Sequence, residues 1–237
     1  MNVFLAELVG SMFLLVFGFG SIASSHLAKS YGRDGGWYMS GLGWGIGLAL
    51  GILAASALGS QGHVNPAITV AFVAAGVLPL AESPTYFAGQ LAGGVLSAVV
   101  VWLLYLPHWK ATENKDVKLS CFAMVPAIRN APANFMSEFL SFLIFVVGIF
   151  VIGQALFPVS LAAGAFATGL WLTACIYATG GQTACGYGID LGTRIAHQIL
   201  PIAGKRDSDW SYAWVPVAGP VTAAVLAAIV SGSLGFV

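Results

Sequence analysis

Six separate stretches of this chain are apolar for about twenty residues or more, and the hydrophilic residues lie mostly between them. The stretches run over about 3–27, 38–59, 84–106, 133–157, 160–180 and 212–235. A bilayer core takes roughly 20 apolar residues to cross as a helix. The chain is 58% hydrophobic and only 8% charged, whereas a soluble domain carries about a quarter charged residues on its wetted surface. The expectation is an all-α protein of six transmembrane helices. The first stretch has no basic region before it and is too long for a signal-peptide core, so it is expected to remain as the first helix.

Two shorter apolar pieces cannot cross. One covers 63–78 and opens at Asn65-Pro66; the other covers 184–200. Such pieces are candidates for re-entrant half-helices, which survive at membrane depth only when packed in protein or lining a watery cavity. One lies in each half of the chain, as in an inverted repeat with its site at the midplane. Surface amphipathic helices are the alternative, but neither piece has a strongly charged face. Intramembrane acids follow the same order: Glu7 is 58 residues before Asn65, and Glu138 is 52 before Asp190. A carboxylate within a lipid-crossing helix needs partners and points to function. The expected organisation is a single channel domain, 1–237, with repeat one about 1–106, a linking loop about 107–132 and repeat two about 133–237.

Nine basic and nine acidic residues balance to a net charge of zero, which leaves no electrostatic footprint for nucleic acid. Cys121, Cys175 and Cys185 are too few and scattered for a disulfide framework or zinc site. Cys121 and Cys175 read as small apolar filler. No cofactor or metal is expected, and no nucleophile–base constellation or phosphate-binding glycine loop points to an enzyme. Most lysines and arginines fall in three loops on one face of the membrane, while the opposite face carries Glu82 and no lysine or arginine. The positive-inside rule alone would put those loops in the cytoplasm.

Gly62-His63-Val64-Asn65-Pro66-Ala67-Ile68-Thr69 resembles the first signature of the major intrinsic protein family, the aquaporins and glycerol facilitators. Ala6-Glu7, Trp44-Gly45, Tyr86-Phe87-Ala88-Gly89-Gln90 and Val215-Pro216-Val217-Ala218-Gly219-Pro220 extend the resemblance across nearly the whole chain. It implies six tilted helices around a pore, two half-helices meeting head to head, and a homotetramer with one pore per subunit. It also implies a multi-pass protein of the cell membrane with both termini in the cytoplasm, and here the resemblance is followed over the charge rule. Glu7 and Glu138 would hold the re-entrant loops by accepting backbone N–H groups, with His63 packed behind the first half-helix. Trp44, 21 residues before Asn65, and Tyr187 would form the aromatic corner of an outer constriction. Cys185 would lie near the outer vestibule.

The second signature departs from the family pattern. Gly186-Tyr187-Gly188-Ile189-Asp190-Leu191-Gly192-Thr193-Arg194 stands where the family carries Gly-Tyr-Ala-Ile-Asn-Pro-Ala-Arg-Asp-Leu-Gly-Pro-Arg. In one register an Asn-Pro-Ala-Arg turn, near 6 Å of helix, is missing between Ile189 and Asp190. In the other, Asp190, Leu191 and Gly192 replace Asn-Pro-Ala, Thr193 takes the place of the arginine that follows, and Arg194 comes one position late. Either way the family's constriction arginine is lost. Arg194 is then a residue bonded to loop carbonyls or one recruited to the pore mouth, and Asp190 an N-cap or a pore-lining acceptor. The expected function is a passive channel for small uncharged solutes, glycerol-like polyols and water among them. A non-conducting relative with a structural or adhesive role is the alternative. A coupled transporter using Asp190 ranks below both.

Overall fold

In the computed structural model, residues 2–179 and 189–237 are described. Six long helices are apolar enough to span a membrane: α1 (Val3–His26), α2 (Gly36–Ala57), α4 (Ser83–Leu104), α7 (Ala131–Ala155), α8 (Leu161–Thr179) and α10 (Trp214–Ser233). Between α2 and α4 lies the short α3 (Pro66–Ala74), and between α8 and α10 the short α9 (Leu191–Ile199). The spans match the apolar stretches to within a few residues. Two helices went unanticipated in the linking loop, α5 (Leu106–Ala111) and α6 (Lys115–Ser120). They bring Trp109 and Leu119 into the core.

The ends of the spans follow their caps. Asn2 accepts from the Phe4 N–H at 3.0 Å and Asn130 from the Ala133 N–H at 3.2 Å, the ordinary N-cap arrangement. Leu5, Leu103, Leu170 and Ile229 are at least half exposed, on faces that lipid would cover. With no hydrophobic force to gather helices in lipid, close packing of small residues does so instead. A Cβ added at Gly51 would lie 2.6 Å from the Gly10 carbonyl, and one at Gly169 would lie 2.3 Å from that of Gly45. Glycine is what lets α1 meet α2, and α2 meet α8, at that distance.

The two halves are built alike. α1 packs on α2 and α4, as α7 packs on α8 and α10. Each half-helix crosses over to the other half's last span, α3 to α10 and α9 to α4. One contact recurs atom for atom. Gly89 of α4 faces the Phe4 carbonyl, the Glu7 Cβ and the Leu8 nitrogen, while Gly219 of α10 faces the Phe135 carbonyl, the Glu138 Cβ and the Phe139 nitrogen. Both acids thus stand at one position of a repeated helix pair.

Candidate functional site

The chain from Gly59 to Asn65 runs into the protein without helical hydrogen bonds, and its sequence makes that path possible. Gly59 and Gly62 take φ of 92° and 72°, and Val64 takes 46°. The left-handed region costs a β-branched residue about 1–2 kcal/mol, so something must hold Val64 there. Glu7 does. Its Oε2 accepts from the Val64 N–H at 2.7 Å and its Oε1 from the His63 N–H at 3.1 Å. The Ser60 hydroxyl donates to Oε1, and Gln90 Nε2 donates to Oε2 at 2.7 Å. An unpaired N–H in a dry environment costs several kcal/mol; one buried carboxylate satisfies two of them.

His63 packs behind α3. Its Nδ1 lies 3.2 Å from Thr69 Oγ1 and its Nε2 3.1 Å from Gln61 Oε1. The ring sits between Phe72 and Tyr86, with centroids at 4.4 and 4.7 Å. Gln90 Nε2 also reaches Thr69 Oγ1, at 3.0 Å. Asn65 then starts the half-helix: its Oδ1 accepts from the Ala67 N–H at 2.8 Å, and Pro66 fills the first helical position. Proline loses nothing there, since that nitrogen has no helical acceptor.

A cavity of about 540 Å³ runs alongside this segment. Its lining includes the polar residues Gln61, His63 and Asn65 and the apolar residues Leu48, Ile68, Phe145 and Leu172. Trp44 also lines it, its ring seated on Gly18 and set edge-on to Phe19 at 5.0 Å. Asn65 spends its oxygen on the cap, and its Nδ2 donates to no described protein group. The carbonyls of Gly62, His63 and Val64 likewise accept from none. Donors and acceptors therefore share the lining with a larger hydrocarbon surface.

The second half-helix is held differently. Asp190 precedes α9 but makes no side-chain cap. Its Oδ2 instead accepts from Arg194 Nη2 at 2.6 Å and from the Met124 N–H at 3.0 Å, all buried. Arg194 Nη1 donates to the carbonyls of Ser208 and Asp209 at 2.6 and 3.0 Å. His197 Nδ1 lies 2.8 Å from Ser208 Oγ. Lys205 closes the far end, donating to the carbonyls of His197, Gln198 and Leu200, where a cation also suits the helix dipole. Around this frame, Arg129 grips Asp209 through both carboxylate oxygens at 2.7 and 2.8 Å, and Arg206 pairs with Asp116. The Arg129 guanidinium holds the Asp209 carboxyl below the usual carboxylate range.

These positions correct several expectations. Arg194 is no pore-mouth residue; it is wholly buried among loop carbonyls and an acid. Asp190 stands at the N-cap position of α9, but its carboxylate caps no helical N–H and is paired with the buried guanidinium. That leaves it unsuited to bind a coupled ion. Thr193 turns its hydroxyl back to the Asp190 carbonyl at 3.0 Å and is fully buried, off the described cavity lining. Leu191 and Gly192 are likewise off the described cavity lining. Gly192 serves packing: a Cβ there would lie 2.6 Å from the Leu91 carbonyl of α4. Trp44, Asn65 and His63 do meet at the cavity, with Ala67 just behind Asn65.

Glu138 is buried at the place on α7 that matches Glu7, but the loop it is expected to hold, residues 180–188, lies outside the described residues. So do Tyr187 and Cys185. Cys121 and Cys175 are free and buried. Gln61, Ser60, Gln90 and Thr69 were not anticipated at the site. Gln90 stood within the quoted Tyr-Phe-Ala-Gly-Gln run, and its polarity inside a span was the available signal.

Comparison with known proteins agrees with this geometry. The family model for major intrinsic proteins matches residues 1–231. The chain is 39% identical to a probable glycerol uptake facilitator protein of Thermotoga maritima, over 96% of this chain and 97% of that one. It is 41% identical to the glycerol uptake facilitator protein of Bacillus subtilis, over 93% and 80% of the two chains. The X-ray structure of the aquaglyceroporin from Plasmodium falciparum superposes with a TM-score of 0.84 at 24% identity, covering 97% of this chain and 94% of that chain. This chain belongs to the major intrinsic protein family.

Proposed function

We propose that the chain is a passive transmembrane channel for glycerol and similar small uncharged polyols, with water able to share the path. The observation that carries the reading is the mixed lining of the cavity. A polyol has hydroxyls along one edge and C–H groups along the other, and Gln61, His63 and Asn65 line one space together with Leu48, Phe145 and Leu172. Asn65 Nδ2 would donate to a hydroxyl, and the free carbonyls of Gly62 and His63 would accept from it. Trp44 would bear on the carbon skeleton. The N-terminus of α3 brings partial positive charge to the middle of the path, which disfavours cations and protons while leaving neutral solutes alone. The glycerol-facilitator names of the two sequence relatives support the same solute class.

Assembly as a homotetramer in the cell membrane with cytoplasmic termini belongs to the same reading. Four of the eight basic residues in the loops that would argue for the opposite orientation are engaged in the fold: Arg129 and Arg206 by aspartates, Lys118 and Lys205 by backbone carbonyls. Stopped-flow light scattering of proteoliposomes tests the function. Reswelling in a glycerol gradient faster than empty liposomes, without added proton leak, is the expected outcome. Rates equal to empty liposomes, from protein shown to be intact, would remove the channel reading and leave a non-conducting relative.

A further inference from the structure

The residues that follow α10 do not run off into solvent. Gly235 takes φ of 75°, and the Phe236 N–H bonds back to the Ser231 carbonyl at 2.9 Å while the Gly235 N–H bonds to that of Gly232 at 3.1 Å. This is the turn by which a glycine in the left-handed region reverses a chain at a helix end. Gln154, at the end of α7 and itself on the cavity lining, fixes the turn by donating Nε2 to the Gly235 carbonyl at 3.0 Å. Leu234 and Val237 on either side are 60% and 45% exposed, while Phe236 alone is tucked inward. It lines the cavity.

It does so at one particular mouth. α7 ends and α10 ends on the side where α1 begins, so Phe236 stands at the mouth on the side of the termini. Phe157, in the turn after α7, lines the same space, and so does Phe72 from α3. Gly153 faces them from α7, and a Cβ there would meet nothing within 4 Å. An aromatic ring on a fixed turn therefore borders a stretch of wall kept open by glycine.

We infer that Phe236, held by the bond from Gln154 to Gly235, sets the solute-size limit of this channel at the mouth beside its termini. The inference rests on the channel reading. Phe236→Ala should raise the ratio of ribitol flux to glycerol flux in proteoliposomes by about threefold, since pore width governs which solutes pass. Gln154→Leu, which frees the turn, should move the ratio the same way by less, and Phe236→Leu should fall between.

An unchanged ratio in both Phe236→Ala and Gln154→Leu, with wild-type glycerol flux intact, would overturn the inference and leave the channel standing. A second readout needs no conduction. In a chain with its three cysteines replaced by alanine, Gly153→Cys should react with a bulky maleimide several-fold faster when Phe236→Ala is added. Equal rates would overturn the inference even if the wild type proved non-conducting.

Discussion

The two half-helices are each nine residues long, lie at matching places in the repeat, and, among the described residues, are held by different contacts. α3 is apolar almost throughout; its fixing comes from its leading end, where Glu7 ties the entering strand and Asn65 caps the first turn. Among the described residues, α9 carries Arg194 and His197, both buried, and is fixed by Asp190 at its start, by Ser208 and Asp209 on its flank and by Lys205 at its far end. In the register that aligns Asp190 with the family's aspartate, the turn containing Asn-Pro-Ala-Arg is the part that α9 lacks. Its flank is intact. In that register α9 keeps its flank contacts without that turn.

The sharpest way to break this comparison is to remove Glu7. Glu7→Leu leaves two backbone N–H groups, a hydroxyl and an amide without their acceptor, at about 1–3 kcal/mol each, and releases the strained Val64. The expected outcome is loss of folded protein, read as a collapse of monodisperse yield after size-exclusion chromatography in detergent. Glu7→Gln should be milder but still strongly impaired, since an amide offers one acceptor oxygen in place of two. A Glu7→Leu protein with wild-type yield would mean that α3 is held by something other than its leading end.

The next test addresses α9. Arg194→Met strands the Asp190 carboxylate in the interior, and breaking a buried pair from one side costs about 3–5 kcal/mol. Asp190→Asn strands the guanidinium similarly. Replacing both by neutral groups removes the uncompensated charge, so Asp190→Asn/Arg194→Met should melt above Arg194→Met alone in a thermal-stability assay. Neighbouring residues in one network show such coupling at about 0.5–3 kcal/mol. Additive losses would show that the two residues act independently and that the flank is not a unit.

How much of this could be read from the chain depends on which of these anchors is local. Asn65-Pro66 announces a helix start by residue type alone, and Glu7 stands out because a carboxylate in an apolar run demands partners. Trp44 drew attention only through the family resemblance, which the structure meets by putting it on the cavity lining. Asp190 and Arg194 were harder. Their four-residue spacing fits a helix face as well as it fits a damaged pore signature, and what decides between them is Met124 and the carbonyls of Ser208 and Asp209. Those are backbone groups on two loops, which no residue identity discloses. The roles of Gln90 and Thr69 were hidden for the same reason: each becomes a partner only when α4 and α3 are packed together. The short α5 and α6 gave too few turns to show a period.

A smaller effect separates the two duties of Asn65. Asn65→Ala removes the cap, about 1 kcal/mol, and with it the free Nδ2 beside the cavity. Asn65→Asp keeps an oxygen for the Ala67 N–H but offers a solute no donor. Glycerol flux should fall in both, by about five-fold for one lost hydrogen bond of ordinary strength, while thermal stability falls only in Asn65→Ala. If Asn65→Asp conducts like the wild type, the asparagine matters to the pore only through the helix it starts.

The smallest effect expected is on the outer frame of α9, and it depends on pH. Asp209 presents its carbonyl to Arg194 and its carboxylate to Arg129, so the pair fixes the loop that fixes the buried arginine. The folded carboxyl titrates below the ordinary aspartate value, mainly through its hydrogen bonds from Arg129. A depressed folded value means that the unfolded chain takes up its proton first. The stabilisation is therefore fully present above the ordinary aspartate range near pH 4, and it is lost as pH falls through the lower folded value. Arg129 is half exposed, and solvent-screened pairs contribute about 0–1 kcal/mol. Arg129→Ala should thus lower the melting temperature slightly at neutral pH, and acidification below pH 4 should cost the variant less than the wild type. Equal acid sensitivity in the two would show that Asp209 serves α9 through its backbone alone, and that the frame around the second half-helix needs no surface ion pair to keep its shape.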